Sequence, residues 1–131
     1  MIAEFVAKWD AKKNEIEDYF KEKHPTDYAE IVKKVVEILK EDYGSPNAEK
    51  IHEIDDGAYQ GTLLFIIPED TYQPHDYWYV RVWYGSCSGC DTLEGIRGYY
   101  DEKPTEQQTK DYMTLALHIL QGITKMGGEP A

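Results

Sequence analysis

A chain of 131 residues with 41% apolar side chains can build one compact domain around a real hydrophobic core, and its 30% charge is spread too evenly for a long disordered tail. With 25 acidic residues against 14 lysines and arginines, the net charge is −11, so direct binding to nucleic acid or to an anionic membrane is not expected. No run reaches the ~18 apolar residues of a membrane span. Acids within Met1–Asp10 do not suit a signal peptide, and a cytoplasmic protein is expected.

In chain order, Ile2, Phe5, Val6, Trp9, Ile16, Tyr19 and Phe20 recur at helical spacing and predict an amphipathic helix ending before His24-Pro25. Asp27 and Glu30 form an Asp-x-x-Glu cap for a second helix. Its core stripe is Tyr28, Ile31, Val32, Val35, Val36 and Leu39, and it stops near Gly44-Ser45-Pro46. The two helices are expected to pack as an antiparallel pair. Lys50–Asp55 alternates weakly, as a short strand. Gly61–Ile67 is an unbroken apolar, β-branched run, which reads as a central strand covered on both faces, and Pro68 ends it.

A loop over 69–76 leads to a third strand, Tyr77–Tyr84. It sets Trp78, Val80, Val82 and Tyr84 on one face and Tyr77, Tyr79, Arg81 and Trp83 on the other. Asp91 with Glu94 caps a short helix reaching about Ile96. Thr105 with Gln108 caps a last helix with the stripe Tyr112, Leu115, Ala116, Ile119, Leu120 and Ile123. The expected fold is α+β, a single domain over 1–131 in the order ααβββαα, with a three-stranded antiparallel sheet packed by two N-terminal and two C-terminal helices.

The richest segment for function follows the third strand. Gly85, Ser86, Cys87, Ser88, Gly89, Cys90, Asp91 and Thr92 form a small-residue turn holding both cysteines and opening a helix. Four readings fit it. A C-x-x-C at a helix N-terminus suits thiol–disulfide chemistry, although Asp91 beside Cys90 opposes a thiolate. Two cysteines with scattered histidines, His75 being the most reachable, suit zinc. Successive N–H groups and hydroxyls near Tyr79, Arg81, Trp83 and Tyr84 suit a small nucleotide signal. The plainest reading is a tight turn whose thiols pack as small apolar groups.

Asp55, Asp56, Tyr59 and Gln60 make a second polar cluster at a turn, and Tyr72 and Gln73 a third in the loop before the third strand. A lone acid pair lacks the further oxygen ligands that calcium needs, so no resident cofactor is expected beyond the zinc alternative. Eleven tyrosines and three tryptophans exceed what the inside of a three-stranded sheet can bury. A half-exposed aromatic face is a natural surface for self-association or for a partner, so a homo-oligomer is expected.

The runs Ile54–Phe65, then Pro68 with Asp70–Pro74, then Tyr84–Leu93, and finally Asp111–Leu115 resemble a group of small, acidic, uncharacterised bacteriophage proteins. The likeness covers the C-terminal two-thirds of the chain. It implies a phage accessory protein in the host cytoplasm, of a kind that antagonises host defence or redirects host enzymes. Joined to the residues, it leads us to expect a non-catalytic protein whose acidic, tyrosine-rich surface binds a host protein, itself basic or nucleic-acid-binding. The alternatives are a module that sequesters a small nucleotide and a zinc or thiol-redox protein.

Overall fold

The computed structural model describes residues 2–41, 44–55, 61–84, 92–97 and 103–126. Helix α1 spans Ile2–Glu22 and buries Phe5, Trp9, Ile16 and Phe20 along one stripe. Helix α2 spans Tyr28–Glu37, and the Asp27 side chain accepts the Glu30 N–H at 2.9 Å, which satisfies one of the free donors of the first turn. Its whole predicted stripe is buried. The helix ends at Glu37, earlier than the Gly44 stop signal, because the chain tightens there: the N–H groups of Ile38 and Leu39 donate back to the Val36 carbonyl. Lys8 of α1 then caps this end by donating to the Leu39 carbonyl at 2.9 Å.

A 3₁₀ turn, Ala48–Lys50, capped by Asn47, leads into β1, His52–Asp55. Strands β2, Gly61–Pro68, and β3, Tyr77–Tyr84, form a long antiparallel hairpin. Helix α3, Thr92–Arg97, and helix α4, Glu106–Gly122, follow. Thr105 and Gln108 close a full capping box on α4, and the Gln108 amide also donates to the Ile96 carbonyl at 3.0 Å, joining the end of α3 to the start of α4.

Among the described residues the sheet has four strands rather than three. After Gly122 the backbone straightens at Ile123 (φ −69°, ψ 120°), and β4, Thr124–Lys125, pairs with Tyr79 and Trp78. Lys125 therefore belongs to a strand. Two residues carry no period that a sequence can display. Strand order is β1-β2-β3-β4, every neighbour antiparallel.

The helices lie in one layer on one face of the sheet, an α+β arrangement. Leu63, Phe65 and Ile67 of β2 and Trp78, Val80 and Val82 of β3 point into that layer and are buried. Helix α4 is its centre, packed against both α1 and α2. The expected α1–α2 pair is thus a three-helix layer with α4 as the shared partner. At Gly122, α4 comes so near the sheet that a Cβ there would lie 3.3 Å from Val80 Cγ2. Phe20 of α1 and Tyr112 of α4 anchor the helical interface with ring centroids 5.4 Å apart, both fully buried.

The opposite face of β2 is half-buried, with Leu64 and Ile66 reaching solvent. The expectation of cover on both faces is corrected here. In an antiparallel meander no connection crosses the sheet, so every helix is free to settle on one side.

Candidate functional site

The register of the sheet sorts the candidate residues. Gly61 pairs with Tyr84 and Asp55 with Leu63, so β1 and β3 end, and β2 begins, at the same end of the sheet. Asp55 is exposed there, Trp83 is 54% exposed, and Thr92 opens α3 with its side chain exposed. Asp56, Tyr59, Gln60, Gly85, Ser86, Cys87, Ser88, Gly89, Cys90 and Asp91 lie outside the described residues. The thiol, zinc and nest readings of the cysteine turn fall on those positions.

Both flanks of that segment are tethered. Tyr84 is held in the sheet by Gly61. On the other side Leu93 is buried, and its N–H donates to the Tyr28 hydroxyl at 3.1 Å, a bond between α3 and α2 over 65 positions of sequence. The span from Tyr84 to Leu93 thus runs between two anchored points.

Tyr72, Gln73 and His75 lie elsewhere, in the loop that joins β2 to β3. That loop stands at the far end of a strand whose eight residues reach about 24 Å from first to last. The meander therefore divides the predicted set in two, with the cysteine turn entered at one end and His75 at the other. Tyr72 is 98% exposed, and the His75 N–H donates to Glu69 Oε1 at 3.3 Å. His52 and His118 are exposed, whereas His24 Nδ1 lies 2.6 Å from the Tyr112 hydroxyl. Among the described residues no three His, Cys, Asp or Glu side chains gather where they could hold a metal ion.

The outer face of the sheet is a surface that the sequence reading placed only partly. Its aromatic stripe on β3, Tyr77, Tyr79, Arg81 and Trp83, was expected and is found. Its extension over the other strands was missed. Ile54 shares a row with Leu64 and Arg81, and His52 shares a row with Ile66, Tyr79 and Thr124. Thr62 pairs with Trp83, and Pro68 pairs with Tyr77, whose carbonyl accepts the Met126 N–H at 2.8 Å. Ile54, Tyr77, Trp83 and Met126 are all more than a third exposed. The described strand positions on this face hold no aspartate or glutamate. Arg81 lies over the Tyr79 ring, 5.5 Å from its centroid, which spreads its charge along the sheet. The available signal was the meander itself, since such sheets commonly leave one face to solvent.

One more polar centre lies between α1 and α2. The Tyr19 hydroxyl donates to Glu30 Oε2 at 2.6 Å, and Lys34 sits 4.3 Å from the ring centroid. Burial, and then the Glu30 carboxylate, push the Tyr19 phenol well above its usual range. A phenol held so firmly protonated is a poor general base, and it serves as a clasp between the helices. Comparison with protein-family models, with curated proteins and with solved structures finds no match to this chain.

Proposed function

We propose that this chain is a non-catalytic binding protein that occupies a host protein through the acidic, tyrosine-containing rim at one end of its sheet. The resemblance to small phage proteins supplies the context, an accessory protein acting against host defence or on a host enzyme. The observation that supports the reading is the pairing of Gly61 with Tyr84, which sets exposed Asp55 and Trp83 at the end of the sheet from which the segments after Asp55 and after Tyr84 both depart. A net charge of −11 directs such a rim toward a basic partner, including one that otherwise holds nucleic acid.

The test is capture of a stoichiometric complex from host lysate at low and at high salt. A partner held at low salt and released at high salt supports the reading; no partner at either sinks it.

A second reading is favoured by Arg81 stacked on Tyr79 next to Trp83, a cation and flat rings on one strand. It is a module that binds a small nucleotide. Thermal shifts against cyclic and ADP-ribose-type nucleotides separate the two, since a ligand at 100 times its Kd adds about 2.7 kcal/mol of stability.

A further inference from the structure

We infer that the outer face of the sheet is the interface of a symmetric homodimer, formed by a second copy of this chain stacked sheet to sheet. This does not depend on the host-binding reading: Trp83 is shared by rim and face, and the other residues of the face lie along the strands, away from the rim. The face is apolar where an ordinary solvent-facing sheet is polar. Ile54, Leu64, Ile66, Tyr79 and Trp83 stand in adjoining rows, and none of them is buried by the described residues.

Charge selects the occupant. Every copy carries a net charge of −11, so two copies repel one another over most approaches. The outer face is the exception, because its described strand positions hold no carboxylate and its arginine lies 5.5 Å from the centroid of a tyrosine ring. A basic partner is drawn to acids, which this face does not offer. A second copy can meet it there with both sets of carboxylates turned away.

The strand edges are poor alternatives for pairing. β1 has four residues, two of them the exposed acids Glu53 and Asp55, and β4 has two residues. Short, charged edges discourage edge-to-edge addition. Face-to-face stacking at about 10 Å is a geometry open to two antiparallel sheets.

Size sets the strength. With about 4.8 Å between strands and about 3.4 Å per residue, the paired residues cover a flat footprint of about 360 Å². Two such faces amount to about 720 Å² before side-chain relief is counted, the size of a weak interface. The dimer is accordingly weak, and it presents two host-binding rims on one particle.

Sedimentation equilibrium of the purified chain from about 5 to about 500 µM brackets that strength. The expected result is a monomer–dimer equilibrium that tightens as salt is raised, because salt screens the repulsion between the two −11 charges. A host complex held by charge moves the opposite way, so failure of one reading is distinguishable from failure of the other.

Trp83→Glu and Ile54→Glu each put an acid on the face at a side chain that is already substantially exposed. Each should weaken self-association by about 30-fold or more, with an unchanged circular dichroism spectrum and melting curve. The exposed α1 substitution Lys13→Glu is the control, and it should alter self-association far less. A chain that stays monomeric at the top concentration overturns the proposal. So does a dimer that neither face substitution weakens, or one disrupted equally by Lys13→Glu.

Discussion

The hydroxyl of Tyr28, at the first position of α2, accepts the backbone N–H of Leu93, at the start of α3. Both residues are buried, so the bond is made away from water and holds the far flank of the cysteine segment against the helical layer. Tyr28→Phe keeps the ring and removes the acceptor. A buried N–H without a partner costs about 1–3 kcal/mol, and urea unfolding should show a loss of that order. Amide exchange at Leu93 should accelerate well beyond the global change. Uniform exchange across the helices would mean that this bond does not anchor α3.

Phe20 and Tyr112 are the rings on which α1 and α4 meet, and neither is exposed at all. Phe20→Ala leaves a void beneath the third residue of this group, His24, whose ring packs edge-on against Tyr112. Truncations of this kind cost about 3–5 kcal/mol. The variant should unfold at much lower denaturant, or fail to fold. A loss under about 1 kcal/mol would show that this interface is dispensable.

Gly44 has φ +69°, and a Cβ there would lie 3.2 Å from Glu69 Oε2. Gly44→Ala meets the left-handed backbone penalty of about 1–2 kcal/mol and crowds a carboxylate. Because the Asp70 backbone N–H donates to the Ser45 carbonyl at 2.8 Å, the strain is felt where the segment after α2 joins the end of β2. Gly44→Asn, which tolerates that backbone region better, should recover part of the loss in a thermal melt.

Alkaline titration reads the Tyr19 clasp. Its phenol binds its proton more tightly in the folded chain than at the ordinary value near 10, first through burial and then through Glu30. A raised folded-state value gives stability that is present below the ordinary value and lost as pH rises through the folded one. Stability should thus fall above pH 10, where the unfolded phenol ionises and the folded one does not. Tyr19→Phe removes this contribution, so its alkaline unfolding curve should be flatter than that of the parent. Identical slopes would rule the clasp out.

Capping is the simplest contribution to check. Thr105→Ala removes the oxygen that accepts the Gln108 N–H at 3.1 Å and should cost about 1 kcal/mol in a chemical denaturation curve. Gln108→Ala should cost more, since its side chain both accepts from the Thr105 N–H and donates to the Ile96 carbonyl. Equal losses would mean that the link between α3 and α4 adds nothing.

The helices and their caps were legible in the sequence because their signals are local. Asp27 and Thr105 precede apolar residues that recur at helical spacing, and the buried stripe of α2 is the one that its periodicity names. Alternation along Tyr77–Tyr84 likewise separated Trp78, Val80 and Val82 from Tyr79, Arg81 and Trp83. The candidate site was legible only as a set of residue types. Nothing in the run containing Tyr72, Gln73 and His75 states that a full strand length parts it from the turn that follows Tyr84.

What the sequence determined by itself was therefore periodic or chemical: which residues turn inward, where helices begin, and that the chain carries a net charge of −11. Tertiary structure decided which face of β2 stays half-exposed, that α4 packs against both α1 and α2, and that Thr124 and Lys125 complete the sheet. The reason is physical. A period fixes how side chains sort about their own axis, while cover of a face depends on where distant elements settle, and that choice is made by packing among residues far apart in the chain.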